Sequence, residues 1–179
     1  MFRNLPALRT LILSILAIVL APSVRGQQIN PDATSTLPQV AEAFLGTWVG
    51  TSDTGEGGKV TSELQFQWTL GDNFLQVRNT VQGEGPQELY AMTLYGWQPV
   101  MGRLVFWAFD KDGTINEGMA ELEAGILKHQ WRSFSRNGEI RDWRSTLEKL
   151  DQNRIVFTVF DSRDTALYSI EYRRRKGQP

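Results

Sequence analysis

The sequence predicts an all-β fold: an antiparallel meander of about ten strands that closes into a barrel, with a short helix at its N-terminal end. Apolar and polar residues alternate with a period of two over most of the chain from Leu45 onward. Glycine, asparagine and aspartate interrupt this alternation at roughly ten-residue spacing, as turns between strands do. No convincing amphipathic helix separates consecutive segments, so we expect neighbours in sequence to pair in space.

Closure of the sheet is predicted from the number of strands. An open meander of this length would leave two unpaired edges that invite aggregation, and closing it into a barrel removes both edges. A barrel of roughly eight to ten strands has an interior that is filled by side chains and often holds one small ligand. The sequence therefore predicts a barrel with an interior pocket.

The chain begins with a segment typical of a secretory signal peptide, Met1–Gly26. It has a basic start at Arg3 and Arg9, an apolar run over Leu11–Ala21 and small residues before an expected cleavage point at Gln27. The apolar run is shorter than the about 20 residues that a membrane-spanning helix needs. We therefore expect export to the periplasm or the medium, without stable membrane insertion after cleavage. A lipid-anchored lipoprotein is excluded because the chain has no cysteine.

A polar segment and the barrel domain follow the leader. Gln27–Val40 contains two prolines and several hydroxyl residues, which predicts a flexible lead-in. Val40–Phe44 is expected to form one or two helical turns that close one end of the barrel. The barrel domain itself is expected over Ala41–Lys176, and its first strand over Phe44–Trp48.

Nine further strands are expected after the one that contains Trp48. In the second strand, Ser62, Leu64 and Phe66 share one face and are predicted to point into the core, while Glu63 and its alternating neighbours point to solvent. The segment 104–109 is apolar on both faces, which predicts that its outer side also lies against something other than water. The expected strands are 61–70, 74–82, 88–97, 104–109, 114–122, 126–134, 140–147, 155–160 and 167–173.

Composition excludes several classes of function. The formal net charge of the chain is -1, which does not favour nucleic acid as a partner. Its single basic run, Arg173–Lys176, is expected to be a solvated tail. With no cysteine and one histidine, His129, a histidine-rich zinc site and a thiol nucleophile are ruled out, and no metal site is expected.

The first strand and the segment after it carry a resemblance to a known family. Gly46-Thr47-Trp48 resembles the Gly-x-Trp element that opens lipocalins and other calycins. More specifically, residues 44–50 and 62–75 resemble the start of a bacterial calycin-like family of unknown function, and residues 95–97, 109–113 and 157–161 fit the same order. The resemblance implies a lipocalin-like barrel with a pocket, and no reaction. It also implies structural roles for Gly46 and Trp48, with the indole packed across the barrel floor against Arg173 or Arg174.

The same resemblance raises the question of haem, because the related nitrobindins bind haem through a histidine. That histidine lies near their last strand, where this chain reads Tyr168-Ser169-Ile170-Glu171-Tyr172. His129 lies instead on the predicted strand 126–134. We therefore expect no cofactor, and haem ligation by His129 is disfavoured.

The six tryptophans admit two compatible interpretations, core packing and a pocket for an apolar or planar ligand. The leading hypothesis is an exported barrel that binds a small, largely apolar molecule. The alternatives are a lipocalin-fold enzyme that acts on a small hydrophobic substrate, and a structural envelope protein whose barrel is filled by its own side chains. The choice between monomer and homodimer stays open. The candidate ligand-binding residues are Trp68, Tyr95, Trp107, His129, Trp131 and Arg144.

No catalytic residues can be assigned from the sequence. A Ser-His-Asp arrangement would need His129 as its base, with Ser133 or Ser145 in reach, but no nucleophile-elbow motif marks either serine. Scattered carboxylates on strands are expected to face solvent rather than converge as an acid and a base. The carboxylates in question are Glu117, Glu121, Asp142 and Glu171.

Overall fold

A computed structural model describes residues 36–54 and 58–176. The predicted leader and most of the predicted lead-in therefore lie outside the described residues. The described chain forms one helix and ten strands: α1 (Leu37–Phe44), β1 (Gly46–Thr54), β2 (Gly58–Thr69), β3 (Phe74–Gln82), β4 (Glu88–Gln98), β5 (Arg103–Asp110), β6 (Ile115–Glu123), β7 (Ile126–Phe134), β8 (Ile140–Lys149), β9 (Arg154–Phe160) and β10 (Ala166–Arg174).

The strands form a closed antiparallel barrel, which confirms the predicted fold class. Each strand pairs with its neighbours in sequence, and β1 pairs with β10 to close the sheet. The closing ladder places Trp48 opposite Arg174 and Gly50 opposite Tyr172. Among the described residues, no helix has the length and apolar character to cross a lipid bilayer.

Helix α1 lies at one end of the barrel and begins earlier than the sequence predicted. It starts at Leu37 rather than Val40, because the backbone N–H of Thr36 donates to Gln39 Oε1 at 2.7 Å and caps the first turn. Its last residue is Phe44, so the first strand starts at Gly46 rather than at Phe44. The helix buries its apolar face, which is made of Leu37, Val40, Ala41 and Phe44.

A contact between the indole of Trp48 and the guanidinium of Arg174 forms the barrel floor. Trp48 is fully buried, and its Nε1–H donates to the carbonyl of Phe44 at 2.7 Å. The Arg174 guanidinium carbon lies 4.1 Å from the ring centroid, and its Nη1 donates to the carbonyl of Leu45 at 2.6 Å. The expected cation–π contact is therefore confirmed, and Arg174 supplies the cation. Arg173 points away and pairs with Glu171 at 3.0 Å.

Gly46 makes this floor possible. Its φ of +108° lies in a region that side chains rarely allow, and an added Cβ would lie 2.8 Å from Arg174 Nη1. A larger residue would push the guanidinium off the indole.

Alternation decides which side chains enter the lumen. On β5, Leu104, Phe106 and Ala108 point inward and are buried. The outer side of this strand was also expected to be covered. Within the part of the chain that the structure describes it is not, because Trp107 and Phe109 are 39% and 42% exposed.

One of the four carboxylates expected in solvent is buried. Glu121 is 2% exposed, whereas Glu117, Asp142 and Glu171 are exposed. Glu121 lies directly opposite the buried Lys128 in the β6–β7 ladder, and Lys128 Nζ forms an ion pair with Glu123 Oε2.

Candidate functional site

The candidate site is the lumen of the barrel, which contains a cavity of about 280 Å³. The wall of the cavity is mostly apolar and aromatic, with a few polar groups at its inner end and at its mouth. This volume lies just below the roughly 300–1,000 Å³ typical of small-molecule pockets. The aromatic lining residues are Phe66, Tyr90, Tyr95, Phe106, Trp131, Phe157, Tyr168 and Tyr172.

The inner end of the lumen contains a buried cluster of three hydrogen-bonded polar side chains, Tyr95, His129 and Ser145. Tyr95 Oη lies 2.9 Å from His129 Nε2, and Ser145 Oγ lies 3.2 Å from His129 Nδ1. Ladder pairing places the side chains together, because His129 on β7 stands directly opposite Ser145 on β8. The edge of the imidazole meets the ring of Phe106, with 5.4 Å between centroids.

Burial keeps the Tyr95–His129–Ser145 cluster uncharged. Loss of solvation lowers the pKa of His129 to about 4, and it raises the pKa of the Tyr95 hydroxyl. At neutral pH the site therefore presents an uncharged imidazole between two hydroxyls. Either imidazole tautomer satisfies both hydrogen bonds.

The buried Tyr95–His129–Ser145 cluster differs in composition from a Ser-His-Asp arrangement. Ser145 does lie within reach of His129, but Tyr95 occupies the position where a carboxylate would stand in a Ser-His-Asp arrangement. An imidazole with a pKa of about 4 is also a weak base near neutral pH.

The geometry does not fit haem ligation by His129. Axial ligation needs a free ring nitrogen, and both nitrogens of this imidazole have hydrogen-bond partners. Within residues 36–54 and 58–176, no three histidine, aspartate or glutamate side chains come together as a metal site.

The mouth of the lumen is more polar than its interior. Asp110 lines it at the end of β5, and Asn116 Nδ2 donates to Asp110 Oδ2 at 3.1 Å. The rings of Tyr90 and Tyr168 line the same cavity. Burial raises the pKa of Asp110, the Asn116 hydrogen bond opposes that shift, and the charge of Asp112 adds to it.

A second polar group lies on the wall formed by β2, β3 and β10. The hydroxyls of Ser62 and Tyr172 are 3.1 Å apart, and Ser62 Oγ donates to Asn79 Oδ1 at 3.0 Å. Asn79 and Tyr172 both line the cavity. These groups satisfy one another without a ligand, so this wall is preformed.

The structure brings together three of the six predicted ligand-binding residues. Tyr95, His129 and Trp131 line the lumen. Trp68 does not line it, because its ring packs against the apolar core. Trp107 alternates with Phe106 and Ala108 and therefore points to the outside.

Arg144 also lies outside the lumen. It forms an ion pair with Asp164 and lines an outer groove of about 640 Å³, which also contains Arg132 and Asp142. The ring of Trp131 borders both spaces and packs against Trp143, with 6.5 Å between centroids.

Sequence reasoning missed the residues at the mouth. The predicted strand 104–109 ends one residue before Asp110, although Asp110 continues the alternation of Phe106 and Ala108 and so points inward. The same test of alternation would have placed Tyr168 on the face of Tyr172. The period-two pattern therefore carried a usable signal that the turn composition hid.

Comparison with known proteins assigns no family to the chain. No protein-family model matches the chain, and no curated protein matches it. Among solved structures, the chain is similar to a de novo designed fluorescence-activating β-barrel, with 16% sequence identity and a TM-score of 0.38. The match covers 76% of this chain and 97% of the designed chain.

Proposed function

We propose that this barrel is an exported protein that binds a small, largely apolar molecule in its lumen. The observation that carries the proposal is the cavity of about 280 Å³, which is lined by aromatic rings and by the buried Tyr95–His129–Ser145 cluster. An apolar pocket with a few placed polar groups is the usual form of a small-molecule site.

The position of the buried polar groups favours a ligand-binding barrel over a barrel that is filled by its own side chains. A barrel filled by its own side chains would leave no space beside His129, whereas here the imidazole borders the cavity. The hydroxyls of Tyr95 and Ser145 fix its orientation. A ligand that reaches this end would meet a preorganised neutral donor and acceptor pair, at little cost in ordering.

The proposal is tested by native mass spectrometry of the mature protein purified from its own host, with an absorption spectrum of the same sample. We expect a retained small-molecule mass and no haem absorption band. Repeated preparations that contain only the bare polypeptide would contradict the proposal.

A matched pair of variants locates the ligand. Ala108→Phe places a ring into the lumen, whereas Val105→Phe places the same ring on the outer face of the same strand. We expect the retained mass to disappear in A108F and to persist in V105F. Retention in both variants would place the ligand outside the lumen.

Export is tested by N-terminal sequencing of protein recovered from the periplasm or medium. We expect mature chains that begin at Gln27. Protein that stays in the cytoplasm with Met1 intact would refute this part of the proposal.

A further inference from the structure

Asp110 is a carboxylate at the mouth of an otherwise uncharged lumen. It is the one acidic residue among the described cavity-lining side chains, none of which is a lysine or an arginine. Its hydrogen-bond donor is the neutral amide of Asn116, at 3.1 Å. Because His129 is neutral, the charge of Asp110 has no counter-charge in the cavity wall.

The nearest basic residue in sequence, Lys111, is paired with Glu88 and not with Asp110. Lys111 Nζ lies 2.8 Å from Glu88 Oε2 and 5.8 Å from the centre of the Tyr90 ring, and it does not line the cavity. Among the ion pairs of the described residues, none includes Asp110. A partly buried carboxylate without a cation is costly, and a cationic ligand would relieve that cost.

Aromatic rings accompany this carboxylate. Tyr90 and Tyr168 line the same cavity as Asp110. Burial is the main cause that raises the pKa of both hydroxyls, and the charge of Asp110 adds to it. A carboxylate beside aromatic faces is a combination that recognises ammonium groups, through a charge-assisted hydrogen bond and cation–π attraction.

We propose that the ligand of this barrel is an amphipathic amine, whose ammonium group pairs with Asp110 while its apolar body extends inward along Phe106 and Trp131. The inference rests on the proposed function and names the class of ligand. At about 3.4 Å per strand residue, Ala108 lies about 7 Å and Phe106 about 14 Å below Asp110 along β5. This depth accommodates an apolar ligand body of one or two fused rings, or a short alkyl chain.

Isothermal titration calorimetry with three matched probes tests the proposal: 2-naphthylmethylammonium, the neutral 2-naphthylmethanol and the anionic 2-naphthoate. We expect the ammonium to bind about tenfold or more tightly than the alcohol, since a charge-assisted hydrogen bond to Asp110 is stronger than a neutral one. We expect the carboxylate to bind most weakly, because Asp110 repels it.

Asp110→Asn is isosteric and should lower the affinity for the ammonium about tenfold while leaving that for the alcohol unchanged. Asp112→Asn is the matched control, because Asp112 is exposed on the following turn and does not line the cavity. Because the charge of Asp112 also acts on Asp110, we expect D112N to lose some affinity for the ammonium, but less than D110N.

The outcomes separate the two proposals. Equal binding of ammonium and alcohol, tightest binding of the carboxylate, or equal losses in D110N and D112N would overturn the amine assignment and leave a lumen that binds apolar molecules. Failure of all three probes to bind would count against both proposals. The ranking of the probes on the wild-type protein tests the inference even if D110N does not fold.

Discussion

Trp48→Ala is the substitution whose effect can be worked out most fully from the structure. The indole is fully buried, so its removal deletes a large apolar surface and leaves a cavity between α1 and the sheet. Truncation of a buried tryptophan to alanine costs about 3–5 kcal/mol. It also leaves the carbonyl of Phe44 without its indole donor and the guanidinium of Arg174 without its ring. Because whole domains are stable by about 5–15 kcal/mol, we expect W48A to be marginally folded.

The assay is urea unfolding followed by circular dichroism, with the free energy of unfolding extrapolated to water. Trp97→Ala serves as the control, because Trp97 is 41% exposed and should lose less than W48A. A loss below about 1 kcal/mol in W48A would refute the assignment of Trp48 to the barrel floor.

A double-mutant cycle isolates the contact between the ring and the cation. Arg174→Met removes the charge and the guanidinium hydrogen bonds to the carbonyls of Leu45 and Gln152. The coupling energy between W48A and R174M should be about 0.5–2 kcal/mol, the range for a cation–π contact. A coupling energy of zero would mean that the 4.1 Å approach contributes no interaction energy.

Two further predictions concern the lumen wall. Burial lowers the pKa of His129 to about 4, below the unfolded value of about 6.5, so the folded state favours the neutral imidazole. Stability from this difference is complete above pH 6.5 and falls as the pH drops toward 4, by up to about 3 kcal/mol. In the variant His129→Gln, stability should depend less on pH between 6.5 and 4. An unchanged pH dependence would refute the lowered pKa of His129. Gly118→Ala should lower the melting temperature markedly, because its Cβ would lie 2.1 Å from the carbonyl oxygen of Gln130. Gly83→Ala has no neighbour within 4 Å and is the control, so equal melting temperatures for the two variants would contradict the steric argument.

The strands and their closure could be predicted because alternation and turn residues are local signals. The segment 61–70 shows this well, since Ser62, Leu64 and Phe66 are buried as the period of two required. The floor contact was also foreseeable, although the choice between Arg173 and Arg174 depended on the register of β10 against β1. Register is set by the whole sheet and not by either residue.

The site was predicted less well, for reasons that particular residues make clear. Trp107 is a candidate ligand contact as one of the six tryptophans, but its strand is apolar on both faces, so composition cannot say which face turns inward. Arg144 was chosen for its charge, and it is held on the outer surface by Asp164. Asp110 was overlooked because aspartate followed by Lys-Asp-Gly is typical of a turn, and that signal masked its inward position.

The pairing of the first strand with the last has a consequence for biosynthesis. β1 cannot complete its second ladder until β10 has been synthesised, more than a hundred residues later, so the final contact to form is also the most distant in sequence. Until then the growing sheet exposes two bare edges, which are the features that recruit other chains. A chain that ends before Tyr172 would keep those edges permanently. We expect such truncated chains to be recovered as aggregates rather than as smaller soluble barrels.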